Sequence, residues 1–149
     1  MDGRDEPGHD AFNKAANREQ TVDQKIYDKG LAIRTAVMGK AYVERALAAN
    51  ADDFGKPVQD HVNEYAWGAV WGREGLSRKT RSMLNLAMLA ILNRPHELRG
   101  HVRGALNNGV TKDEIREIFM HVGVYAGAPA MLDSVRIAKE MFAEIEKGG

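Results

Sequence analysis

A chain of 149 residues, 44% of them hydrophobic, is sized for one domain with a proper core. Its 21 basic and 21 acidic side chains cancel, so the charge points to neither nucleic acid nor an anionic membrane as partner. The most apolar stretch, around Leu84 to Leu92, falls far short of the ~20 residues a membrane span needs. There is no cysteine, which excludes disulfides, thiolate nucleophiles and cysteine-ligated metals and leaves chemistry to histidine, carboxylate, arginine and tyrosine. The N-terminus has no apolar signal core, which places the expected location in the cytoplasm.

Residues 1–20 are polar, rich in Gly, Pro and Asn, and lack apolar periodicity, so they read as a flexible tail ahead of a single domain over 21–149. Thr21 with Gln24 makes a capping box for a helix running to about Met38, with Val22, Ile26, Ile33 and Val37 inward and Gly30 weakening its middle. A short helix from Ala41 to Ala49 follows, then a polar loop over Asn50 to Phe54. Pro57 starts a longer helix to about Arg73, with Val58, Val62, Ala66, Ala69 and Val70 inward. Trp67 and Trp71, one turn apart on it, form an aromatic patch that serves either as packing or as a pocket wall.

Ser77 caps the next helix, Arg78 to Leu92, which is apolar nearly all round after its first turn and is expected at the centre of a bundle or of a subunit interface. Arg78, Lys79 and Arg81 crowd its start, where the macrodipole disfavours each cation by roughly 0.3–1 kcal/mol. They read either as an anion site or as a solvated basic turn. Pro95 and Gly109 then bracket a helix over 95–108 whose apolar stripe is Leu98, Val102, Ala105, Leu106 and Val110.

Thr111 and Glu114 cap a helix from about Lys112 that buries Ile115, Ile118, Phe119, Val122 and Ala126. His121 and Tyr125 pair one turn apart on another of its faces, as a packed pair or a reactive one. Gly127 and Pro129 break the chain before a last helix, Ala130 to Ile145, with Met131, Val135, Ala138, Phe142 and Ile145 on one face. No strand alternation appears, so the fold class is all-α, a compact bundle of about six to seven helices. The apolar helix over 78–92 and the apolar face of the last helix offer more surface than one small bundle covers, which predicts a homo-oligomer.

Glu97 and His101 lie four residues apart where the helix over 95–108 passes from core to solvent. A carboxylate one turn from an imidazole is a small acid/base unit. Gly104, the next turn on, admits a close neighbour, either backbone or ligand. The five histidines make no compact ligand pattern, so no metal is expected.

Three segments, AWGAVWGREGLSRKTRSMLNLAMLAILNR, ELRGHVRGALNNGVTKDEIREI and YAGAPA, resemble the 4-carboxymuconolactone decarboxylase family within the alkyl hydroperoxidase D-like superfamily. The resemblance covers roughly Ile26 to Phe142. It implies an all-helical subunit in a hexamer or trimer and cofactor-free decarboxylation of a small anionic lactone, 4-carboxymuconolactone, to 3-oxoadipate enol-lactone in the β-ketoadipate pathway. It implies further that His101 delivers a proton with Glu97 orienting it, that Arg81 and Arg78 hold a substrate carboxylate, and that Trp67 and Trp71 desolvate the leaving one. His121, Tyr125 and Leu132 complete the expected substrate-binding set. Peroxidase relatives carry two cysteines at the positions of Arg94 and Glu97, so a thiol peroxidase mechanism is excluded here. At the hairpin exit the family typically reads close to YCGVPAAN, whereas this chain has Ala126 and Leu132 at the Cys and Asn positions. The competing expectations are a paralogue acting on another carboxylated lactone or ring-cleavage product, and a non-catalytic helical oligomer that binds an anion.

Overall fold

A computed structural model describes residues 22–148. The expected tail over 1–20, and Thr21 of the expected capping box, lie outside the described residues. Seven α-helices follow in order: α1 (Gln24–Met38), α2 (Lys40–Ala49), α3 (Lys56–His61), α4 (Arg78–Ile91), α5 (Pro95–Asn107), α6 (Lys112–Ala126) and α7 (Ala128–Glu146). Between α3 and α4 the chain continues as a π-helical segment, Val62–Val70. There is no strand among the described residues, and none of the helices is long and apolar enough to cross a membrane.

Most boundaries follow their local chemistry. Ser77 accepts from the Thr80 N–H at the start of α4, Thr111 and Glu114 form the reciprocal box of α6, and Gly109 takes the left-handed backbone after α5 at φ +85°. The N-cap of α1 is Asp23, whose carboxylate accepts from the N–H groups of Lys25 and Ile26. Helix α7 starts at Ala128, earlier than expected, because Pro129 occupies its first turn, where a missing N–H costs nothing.

The π segment departs from the regular helix expected there. Trp71 N–H donates to the Ala66 carbonyl five residues back, at 2.9 Å. The wider turn rotates the inward face, so Asn63, Trp67 and Gly68 are buried, while Val58 and Val70, expected inside, are 56% and 39% exposed. The rotation also lets two glycines bring α1 and the π segment together backbone to backbone. A Cβ on Gly30 would collide with the Asn63 carbonyl and stand 2.6 Å from the Gly68 nitrogen, and one on Gly68 would meet Ile26.

Two cores result. Ile33, Val37, Met38, Val43 and Trp67 form the smaller, between α1, α2 and the π segment. Leu86, Leu98, Val102, Ile115, Phe119 and Ile137 anchor the larger, among α4 to α7. Helix α5 serves both: Leu98 and Val102 enter the larger core, while Gly100 and Gly104 let Met38 and Tyr42 of the smaller one approach. Asn107 fastens the junction by donating to the Val37 carbonyl at 2.8 Å.

Helix α4 is not sheathed by the bundle. Leu86 and Ala90 are buried, but Leu84, Met88 and Ile91, spaced 4 and 3 apart, are 47%, 51% and 52% exposed and form an apolar stripe on the surface. Ala126, expected inside, is also exposed.

Gly30→Ala separates two effects of opposite sign. Helix propensity alone predicts stabilisation by up to about 1 kcal/mol, whereas the backbone collision predicts destabilisation by about 1–3 kcal/mol or more. The collision wins, so the urea midpoint should fall. A rise would mean that α1 and the π segment do not touch at Gly30.

Candidate active site

The site lies at the junction of the two cores. His101, on α5, faces Trp67 across it with ring planes parallel to within 3° and centroids 6.2 Å apart. Trp71 tilts against Trp67 at 4.7 Å. The two indoles are therefore packing and site wall together: Trp67 is a core residue, and Trp71 borders that core, half-buried.

From the α4 side, Asn85 Nδ2 approaches His101 Nδ1 at 3.4 Å. With the amide donating, Nδ1 is the acceptor and the proton of the neutral ring sits on Nε2. Glu97 is exposed and shares no hydrogen bond with His101 among the described residues. It acts on the ring only as a nearby negative charge, so the hydrogen-bonded orienting partner is Asn85.

Burial pushes the His101 imidazole down from 6.5 to about 4. The Glu97 carboxylate opposes this shift, and the guanidinium of Arg34 reinforces it. Arg34 lies on α1, 6% exposed. Its Nη1 donates to Gln59 Oε1 and Asn63 Oδ1, each at 2.9 Å, and burial lowers its own pKa.

Arg81 stands one turn before Asn85 on α4, half-buried, with Nη2 donating to the Arg73 carbonyl at 3.3 Å and Nε sealed without a partner. Of its neighbours at the helix start, Arg78 is exposed, and Lys79 is held by Glu114 at 3.0 Å. The basic turn thus divides into one structural pair, one solvated arginine and one arginine turned inward.

The remaining expected residues are not brought to His101 within the single chain. His121 and Tyr125 lie against each other, tilted by 32° with centroids 5.3 Å apart, on the exposed face of α6, and Leu132 is 63% exposed on α7. A groove of about 500 Å³ between the ends of α4 and α6 and the starts of α5 and α7 is lined by Arg94, Leu98, Pro129 and Ser134 among others, and by none of the expected site residues. Arg34, Asn63 and Asn85 went unremarked in the sequence, although each is a polar side chain set among apolar helix positions.

An imidazole set between an indole and an amide, where the charge of Arg34 is felt, is a cysteine-free candidate for acid/base chemistry. A sequence profile of the carboxymuconolactone decarboxylase family matches residues 56–140, and the chain belongs to that family. It is 44% identical over 123 residues to the 4-carboxymuconolactone decarboxylase of Acinetobacter baylyi, covering 83% of this chain and 91% of that one. It is 41% identical over 128 residues to the nitrosuccinic acid decarboxylase of Metarhizium robertsii, covering 85% and 89%.

The depressed His101 pKa sets a pH dependence. The unfolded chain takes up a proton near pH 6.5, and the folded one resists it until about 4. Stability is therefore highest above 6.5 and falls progressively as the pH drops toward 4. Urea midpoints across that window should decline less steeply in His101→Gln than in the wild type. Equal slopes would mean that His101 is not buried as a neutral ring.

Proposed function

We propose that this protein decarboxylates 4-carboxymuconolactone to 3-oxoadipate enol-lactone, with His101 as the proton donor. The likeness to the Acinetobacter enzyme over nearly its whole length supports the substrate. The observation that carries the chemistry is the imidazole set between Trp67 and Asn85 within reach of the Arg34 charge.

Departure of CO₂ leaves its electron pair to move through the ring double bond onto the lactone carbonyl, forming a dienolate. Proton transfer to the ring carbon next to that carbonyl then gives the enol-lactone, and one proton is consumed in each turnover. In the free site His101 is neutral at pH 7. A dianionic substrate brings negative charge against the ring and raises its pKa, so the proton enters with the substrate and sits where the dienolate needs it. Arg81 stabilises the oxygen on which charge develops, and Arg78 guides the anion from outside. Trp67 and Trp71 leave the departing carboxylate poorly solvated, which favours its loss as neutral CO₂. Glu97 supports the protonated ring through its charge.

A second reading rests on the Metarhizium relative, which is named for another acid and is nearly as similar, at 41% identity. It keeps the same chemistry and changes the substrate. Parallel assays with the lactone and with nitrosuccinate, followed by ultraviolet absorbance and CO₂ release, decide between them. In either case His101→Gln should lose activity by about 10²- to 10⁴-fold while the helical circular dichroism stays intact. Unchanged turnover would remove His101 from the mechanism.

The apolar stripe of Leu84, Met88 and Ile91 supports a homo-oligomer as the working form, and the family resemblance makes a ring-like trimer or hexamer the expected size. Met88→Glu should lower the mass measured by light scattering toward that of one chain. An unchanged mass would place the subunit interface elsewhere.

A further inference from the structure

Arg34 is a buried cation whose protein partners are all neutral. Its Nη1 is engaged by the side-chain oxygens of Gln59 and Asn63, and no carboxylate lies within ion-pair distance of it among the described residues. Burying a guanidinium with no counter-charge is costly, and the lowered pKa of Arg34 reflects that cost. Its Nε and Nη2 donate to no described residue. The sealed, partnerless side-chain atoms are Asn63 Nδ2 and Arg81 Nε, so the two unused nitrogens of Arg34 keep a path to solvent.

Asn63 adds a second, independent sign. Its Oδ1 is committed to Arg34, which leaves Nδ2 as a donor with nothing to bond, in a residue 0% exposed. The sealed amide cannot reach a ligand itself, so its unbonded Nδ2 is the cost of holding Oδ1 on Arg34, and the guanidinium is fixed in place without being neutralised. A carboxylate answers the guanidinium, because it supplies both the charge and the lone pairs that Nε and Nη2 lack. The pair also lies on the reacting side of the fold: Asn63 is one turn before Trp67, and the Arg34 charge is felt by His101.

We propose that Arg34, held in place by Gln59 and Asn63, seats through its two unused nitrogens the carboxylate that the substrate keeps, leaving the departing one on the indole side. The inference rests on the decarboxylase reading for which ligand occupies the seat. Its logic is differential binding. A guanidinium clamped on the departing carboxylate would stabilise charge that must vanish in the transition state, whereas one on the retained carboxylate holds the molecule throughout without opposing the reaction. Arg34 then sets affinity and register, and His101 sets the rate.

The test uses muconolactone, which carries the retained carboxylate and lacks the departing one, and reads its binding through the fluorescence of Trp67 and Trp71, the two tryptophans of the chain. The wild type should bind it, and Arg34→Gln should weaken binding and raise KM for 4-carboxymuconolactone by about tenfold or more, while Arg34→Lys recovers part of the loss. Asn63→Asp gives Arg34 an internal counter-ion. It should weaken binding to a similar extent while unfolding at pH 7 no more easily than the wild type, so it decides the matter if Arg34→Gln fails to fold. Muconolactone bound equally by wild type and Asn63→Asp, or a destabilised Asn63→Asp, would overturn the proposal, as would a wild type that turns over the lactone but has no affinity for muconolactone. Binding that these variants abolish, in a protein that never decarboxylates the lactone, would uphold the seat and reject the reaction.

Discussion

The structure depends on close approach across α5. Because Gly100 and Gly104 carry no side chain, the end of α1 and the start of α2 lie against α5 with Met38 and Tyr42 in contact. Its other face is meanwhile filled by Leu98 and Val102 in the larger core. A Cβ at either glycine would stand 3.1–3.2 Å from Met38, Tyr42 or Val37 side-chain atoms, which would have to give way by a few tenths of an ångström. Gly30 and Gly68 repeat the device one layer out and fix the π segment on α1. The glycines give up helix propensity and gain a junction narrow enough for a ring on α5 to be reached from α1, from the π segment and from α4.

That junction explains the electrostatics of the site. His101 is poorly solvated there, so it is neutral at its ordinary pKa and stays so down to about 4, and on the proposed reading it takes up its proton only when an anionic substrate arrives. The arginines follow the same logic. Surface cations such as Arg136, paired with Asp133 and Glu140, are satisfied at home and contribute little. Arg34 and Arg81 are turned inward and retain unsatisfied donors. On the proposed reading, this positive charge that the protein leaves unmatched is what a dianionic lactone would answer.

Much of the fold was legible because it is written in local chemistry. Thr111 with Glu114, Ser77, Pro95 and Gly109 each act on their own backbone neighbours, so the ends of α4, α5 and α6 could be read from a few consecutive residues. The π segment was not legible, since the sequence around Trp67 has ordinary helical spacing. It accompanies the close backbone approach of Gly30 to Asn63, 33 positions apart, and so the inward face was misplaced onto Val58 and Val70. The site divides in the same way. His101 and the tryptophans stand out by residue type. The partners that define their environment, Asn85 from α4 and Arg34 from α1, become visible only when three helices converge. Gly104 was read as admitting either a neighbouring chain segment or a ligand, and Val37 and Met38 of α1 occupy the space.

A positioned acid leaves a stereochemical record. Running the decarboxylation in deuterium oxide and analysing the product at once by deuterium NMR in an oriented chiral medium reports which face of the dienolate received the proton. With His101 held against Trp67 and Asn85 on one side of the ring, a single deuteron should enter the carbon next to the carbonyl from one face only. Equal labelling of both faces would mean that the dienolate is released and protonated by solvent, and that His101 is not the acid.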